Sequence, residues 1–278
     1  MHLLIFGLGY TAGRVAVAAR ARGFTVAATT RDGRAGTLRF DDHHAVAAEL
    51  ARATHILSSV PPDGEHDPVL TAYGDQLART PAWLGYLSST GVYGDTGGAW
   101  VDETAPTGAG RRSARARADA AWLDAGARVF RLPGIYGPGR SALDRVREGR
   151  AHLVDSPGQV FSRVHVDDIV SGVLAALDAP SGAYNLADDR PCSQNEVVRY
   201  AARLLGLPEP RVVPLDSLSP MARGFYAENR RVANGKAKRV LGWTPHYPDY
   251  RLGLRAVSAI TSPTPASSPP AAASADQR

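Results

Sequence analysis

Residues 2–12 read His2-Leu3-Leu4-Ile5-Phe6-Gly7-Leu8-Gly9-Tyr10-Thr11-Ala12. A short apolar run ends in glycine, and the alanine-rich stretch 14–22 after it stops at Gly23, which predicts strand, glycine turn and helix. The alternation continues downstream. Strands are expected at 24–30, 37–40, 54–60, 83–89 and 128–133, with helices at 44–52, 68–79 and 111–125 between them. Strand alternating with helix implies a parallel sheet covered on both faces, an α/β doubly wound architecture. Past residue 135 glycine and proline interrupt the pattern, and only two helices, 166–177 and 194–205, are expected in a smaller mixed region.

The turn is a G-x-G-x-x-A sequence placed directly after a strand and opening a helix. Gly7 permits the tight turn, Gly9 lets the backbone approach a pyrophosphate, and the small Ala12 lets helix and strand pack closely. The helix amino terminus, with Tyr10 and Thr11, offers N–H groups and partial positive charge to phosphates. A dinucleotide is the expected ligand, with S-adenosylmethionine the alternative for such a loop. About twenty residues on, an acidic side chain would take the ribose hydroxyl of NAD and an arginine the 2′-phosphate of NADP. Here the strand ends Thr29-Thr30-Arg31-Asp32. Arg31 favours NADP(H) over NAD(H), because a planar guanidinium suits phosphate, while Asp32 keeps NAD open. Residues 1–135 with a return segment at about 160–188 are the expected Rossmann dinucleotide-binding domain. Residues 136–159 and 189–260 form the expected substrate-binding region.

The chain has 278 residues, 44% hydrophobic and 21% charged, with mean hydropathy −0.20, an ordinary globular composition. The exception is 261–278, almost all Pro, Ser, Thr and Ala, which is expected to be a disordered tail. The single cysteine, Cys192, excludes an intrachain disulfide, a cysteine-built zinc site and a paired-thiol motif, and points to a reducing, cytoplasmic setting. No secretory leader fits the amino terminus, and no apolar run is long enough for a membrane span. Net charge is +5, but 30 of the 32 basic residues are arginines scattered among acidic ones, without aromatic platforms or a recognised module, so no nucleic acid is expected. His43-His44 lie side by side at a helix start and point different ways, so no metal site is expected. Neither a G-x-S-x-G elbow nor a G-x-x-x-x-G-K-[ST] loop occurs.

Tyr86-Leu87-Ser88-Ser89-Thr90-Gly91-Val92-Tyr93-Gly94 resembles the fifth-strand motif of the extended short-chain dehydrogenase/reductases, the NAD-dependent epimerase/dehydratase family. Asp102-Glu103 with Pro106, the run from Arg131 through Pro133 and Tyr136 to Gly139, His165-Val166-Asp167-Asp168 and Tyr184-Asn185-Leu186-Ala187 agree with it in order. Ser58-Ser59-Val60-Pro61-Pro62 and Leu241-Gly242-Trp243 resemble a divergent bacterial branch of atypical type. The resemblance implies that Ser58, Pro61, Ser88 and Pro133 border the cofactor and that Tyr136, Arg140 and His165 border the substrate. It implies that Ser89, with Thr90 beside it, hydrogen-bonds a substrate carbonyl or hydroxyl.

The family's Tyr-x-x-x-Lys is where the sequence departs. By spacing the tyrosine position holds Arg111 and the lysine position Arg115. Arg115 suits a nicotinamide ribose as a fixed cation. Arg111 cannot act as acid or base, since a guanidinium stays protonated below pH ~12 and has no acceptor. The proton must come from elsewhere, with Tyr93 and His165 nearest by motif, or from substrate or water, or else Arg111 stabilises an oxyanion. Two functions follow. One is an NAD(P)-dependent oxidoreductase or epimerase/dehydratase acting on a small carbonyl or sugar-like molecule, which the arginines would suit if anionic. The other is a catalytically impaired NADP(H)-binding sensor. Either would work as a monomer or homodimer, without a membrane partner.

Overall fold

The computed structural model describes residues 1–108 and 113–261; the position of Arg111 and the tail from 262 lie outside the described residues. Seven strands form one wholly parallel sheet: β1 (His2–Phe6), β2 (Thr25–Thr30), β3 (Leu38–Arg39), β4 (His55–Ser58), β5 (Trp83–Ser89), β6 (Arg128–Leu132) and β7 (Gly182–Asn185). Their order is β3-β2-β1-β4-β5-β6-β7. This is a doubly wound Rossmann sheet, and its order reverses between β1 and β4, where such sheets bind ligands at the carboxyl ends of their strands.

Side chains along β1 alternate between two cores, as the pleat requires. Leu3 and Ile5 face α1 (Tyr10–Ala21) and α6 (Val166–Ala175), while Leu4 and Phe6 face α2 (His43–Arg52), α3 (Pro68–Leu77) and α4 (Ser113–Asp124). A third apolar group unites α5 (Ala142–Arg147), α7 (Gln194–Leu205) and α10 (Tyr250–Thr261). Two short helices, α8 (Pro220–Tyr226) and α9 (Gly235–Leu241), complete the second half.

Two boundaries differ instructively from the sequence expectation. Helix α1 begins at Tyr10 rather than 14, because Gly9 already stands as its N-cap. Strand β4 ends at Ser58, since Val60 turns away to pack against Gly7 and Pro61-Pro62 cannot continue a ladder. Past residue 135 the chain is more regular than expected: Gly134–Tyr136 pairs with Arg163–His165, and β7 returns to the sheet edge. These pieces are three or four residues long, too short for periodicity to show. Helix α10 runs through Thr261, where the tail was expected to begin. Among the described residues no helix is long and apolar enough to cross a membrane.

Candidate functional site

The turn after β1 leaves backbone N–H groups open to the cleft side of the sheet. Gly7 has φ +83°, and a Cβ there would lie 2.9 Å from Val60 Cγ2, so only glycine fits. Gly9 has φ −90°, and a Cβ there would meet nothing within 4 Å. The space in front of it is open, beside a helix start with no side-chain cap and no acidic residue in its first turn. That arrangement fits a dinucleotide pyrophosphate on free backbone N–H groups. Ala12 is fully buried where α1 crosses the sheet, as the close-packing role requires.

At the tip of β2, Asp32 accepts two hydrogen bonds of 3.2 Å from Arg34, and Arg39 is paired with Asp41. Among the described residues Arg31 has no such partner, and its exposed guanidinium is left for a ligand. Thr29 and Thr30 are already committed, Thr29 Oγ1 to Gly7 N–H at 3.3 Å and Thr30 Oγ1 to Thr37 Oγ1 at 2.7 Å.

From the loop a cleft of about 1010 Å³ runs across the carboxyl ends of β4, β5 and β6 into the second half of the chain. Tyr10, Thr11, Pro61, Ser88, Ser89, Thr90, Arg115, Pro133, Tyr136 and Arg140 line it together. Ser89 caps the turn that follows β5 by accepting Gly91 N–H at 3.1 Å. With its oxygen so used, its own O–H is free to point outward as a donor. Arg115 rises from the first turn of α4 on the same cleft.

Other expected residues are placed differently. Ser88 donates its hydroxyl at 2.6 Å to buried Asp119, so what it offers the cleft is surface rather than a free hydroxyl. Tyr93 is 3% exposed and does not line the cleft: its phenol donates to Asn185 Oδ1 at 2.8 Å, accepts from Arg131 at 3.0 Å, and burial pushes it up to about 12. It belongs to a network with the Arg131–Asp119 ion pair at 2.7 Å, which fastens β5, β6, β7 and α4 together. Tyr93 thus packs in this network, and the phenol expected at the site is not brought to the cleft. His165 is likewise not brought to the cleft. It is 1% exposed, its Nδ1 accepts Asp167 N–H at 3.2 Å as the cap of α6, its ring lies against Tyr136 and Tyr247, and desolvation lowers it to about 4. Ser58 is fully buried and does not reach the cleft. Tyr136 presents its ring while its hydroxyl packs toward Gly253. Arg140 lies over the Tyr10 ring at 5.8 Å, with Arg14 at 5.4 Å, near the phosphate turn as much as any substrate.

Sequence reasoning missed Arg145, Arg163, Phe161, Phe225 and Tyr226, which line the far end of the cleft. They sit on α5, α8 and short strands whose mutual placement no motif encodes. Ser219-Pro220, a helix-start signal, is the one trace that would have located α8.

No family model matches the chain. In sequence it is similar to the 3-diazoavenalumate denitrifying reductase of a Streptomyces species, 35% identical over 138 residues, 45% of this chain and 45% of that protein. The match thus spans about half the length of that curated relative. In structure it is similar to the human epimerase family protein SDR39U1 with NADPH, TM-score 0.71, 16% identical, covering 93% of this chain and 99% of that one. The fold is that of the extended short-chain dehydrogenase/reductases, the NAD-dependent epimerase/dehydratase family. Within that fold the chain belongs to one family with a conserved protein of unknown function from Silicibacter pomeroyi, 41% identical with TM-score 0.82, covering 93% of this chain and 98% of that one.

Proposed function

We propose that the protein is an NADP(H)-dependent oxidoreductase that reduces a small anionic acceptor without a tyrosine proton donor. The observation that carries this is convergence: Tyr10 and Thr11 of the glycine turn, Ser89, Thr90 and Arg115 meet on one cleft. When bound, the nicotinamide supplies the hydride. The chain's part is to hold the acceptor. Ser89 donates to the atom that gains negative charge, and Arg115 stabilises that charge as a fixed cation in a partly desolvated site. The required proton is drawn from water in the open cleft, because neither guanidinium nor the locked Tyr93 can supply it. The name of the Streptomyces relative, a reductase, supports this reading, as does unpartnered Arg31 for NADP(H).

The test is titration with NADPH and NADH, followed by NADPH oxidation against aldehydes, ketones, aryl diazonium salts and nucleotide sugars. Arg31→Ala should weaken NADPH about tenfold or more, the worth of a charge-assisted hydrogen bond, and barely affect NADH. Equal losses overturn the 2′-phosphate assignment. Ser89→Ala should lower kcat by roughly 10²-fold; unchanged turnover would show that the acceptor sits elsewhere. The replacement at the tyrosine position favours a second reading, an NADP(H)-binding sensor, and tight NADPH binding with no turnover across the panel would establish it.

A further inference from the structure

Beyond Ser89 and Arg115 the cleft ends in an aromatic wall beside uncompensated positive charge. Phe161 packs edge-on against Tyr226, with ring centroids 5.4 Å apart at 89°. Next to them on α8, Phe225 lines the cleft while 51% exposed, a large apolar surface turned toward a cavity. Two other arginines at this end are neutralised within the chain, Arg150 by Glu148 and Arg230 by Glu228. Arg145 and Arg163 are not: among the described residues neither has a carboxylate within ion-pair distance.

Arg163 is the buried one of the two. Only 5% exposed, it donates from Nη1 to the carbonyls of Phe161 at 3.0 Å and Cys192 at 3.3 Å and to Cys192 Sγ at 3.0 Å, and from Nη2 to the carbonyls of Cys192 and Ser193 and to Gln194 Oε1 at 3.3–3.4 Å. Asp188, whose carboxyl feels Arg163, is pushed up to about 8 by burial and lies outside ion-pair distance of it. With its terminal nitrogens so committed, Arg163 supplies a fixed positive field at this end of the cleft, while the exposed Arg145 keeps its donors for an anion. The position of Arg163 relative to the wall is also fixed, since it bonds the backbone of the residue whose ring forms that wall. Arg145 and Arg163 both act electrostatically on the Tyr226 phenol, offsetting part of the rise that burial causes. Charge and ring surface are thus contiguous.

We propose that this end of the cleft binds a small aromatic carboxylic acid, its ring against Phe161, Phe225 and Tyr226 and its carboxylate on Arg145, in the field of buried Arg163. In a nucleotide sugar a ribose separates base from diphosphate, whereas in an aryl or cinnamyl acid the charge lies at the end of the ring system, as the side chains here are arranged. The inference rests on the oxidoreductase reading for why such an acid is bound, and names the substrate class for it.

Calorimetric titration of the full chain with benzoate, cinnamate, 4-hydroxycinnamate, methyl cinnamate and UDP-glucose, with and without NADPH, tests it. At least one acid should bind, with its methyl ester tenfold or more weaker. Arg145→Gln should weaken the acid about tenfold while leaving the ester within twofold, and Phe225→Ala should weaken both. The proposal is overturned if no acid binds, if acid and ester bind alike, if Arg145→Gln changes nothing, or if UDP-glucose binds more tightly than every acid. NADPH titration on the same samples keeps the two readings apart: acid binding without NADPH binding would retain this site and remove the oxidoreductase.

Discussion

At the scale of single residues, a side chain's chemistry is decided by which of its atoms are already spoken for. Ser89 accepts Gly91 N–H and, among the described residues, gives its own proton to no acceptor, while Tyr93 has both its donor and acceptor capacity used by Asn185 and Arg131. The motif made both legible as candidates. It did not show that Tyr93 is locked, because its partners arrive from β6 and β7, 38 and 92 residues away. Asp188 makes the same point for charge. Its Oδ1 accepts Arg190 N–H at 3.3 Å, its Oδ2 has no partner, and burial pushes it up to about 8. Below pH ~4 it is protonated folded or unfolded. Between about 4 and 8 the unfolded chain releases that proton and the folded one retains it, so stability is lost as pH rises through this window, by at most about 1.4 kcal/mol per pH unit. Asp188→Asn should remove that slope and gain stability relative to the parent from pH 5 to 8. Thermal unfolding across that range checks it; parallel curves would mean that Asp188 is ionised in the fold.

Among elements, the β1-turn-α1 unit was the most legible, because each of its positions answers to a local rule: strand periodicity, a turn that needs positive φ, and a helix that starts on glycine. The two glycines nonetheless do different work. At Gly7 a side chain would meet Val60 and an unfavourable φ, whereas Gly9 has ordinary φ and open space before it. Gly9→Ala should therefore fold with stability within about 0.5 kcal/mol of the parent. Its methyl would occupy the approach to the α1 N–H groups, and NADPH affinity should fall tenfold or more. Chemical denaturation and fluorescence titration of the same variant give the two readouts. Unimpaired binding would place the pyrophosphate elsewhere. The elements around Arg145, Phe225 and Tyr226 had no comparable local rule, since what unites them is a cavity closed by several distant segments.

For the whole molecule, the sequence divides more sharply than the packing does. Regular alternation up to residue 135 and irregular segments after it invite the expectation of two parts. Yet one core joins Leu3, Ile5, Ala12 and Val15 from the first part to Ile169, Val173, Ala237 and Trp243 from the second. Trp243 donates to Asp168 O at 3.1 Å and Ser171 Oγ at 3.0 Å, and the Asp168 carboxylate accepts the N–H groups of His246 and Tyr247 at 2.6 and 3.1 Å. The late chain is thereby tied to α6, which packs on α1 beneath the phosphate turn. Shared burial of this kind makes the two parts unfold together, although chains beyond about 150 residues often separate into steps. The tryptophans allow the comparison. Trp122 is fully buried on one face of the sheet, and Trp83 and Trp243, 8% and 3% exposed, lie on the other. With the exposed Trp100 replaced by Phe in both variants, replacing Trp122 by Phe leaves Trp83 and Trp243 to report on the second face, and replacing Trp83 and Trp243 by Phe leaves Trp122 as the buried reporter. In urea, each reporter within its own variant should share its midpoint with far-UV circular dichroism. A fluorescence transition preceding the loss of secondary structure in either variant would show that the cleft lies between independently folding parts rather than within one cooperative unit.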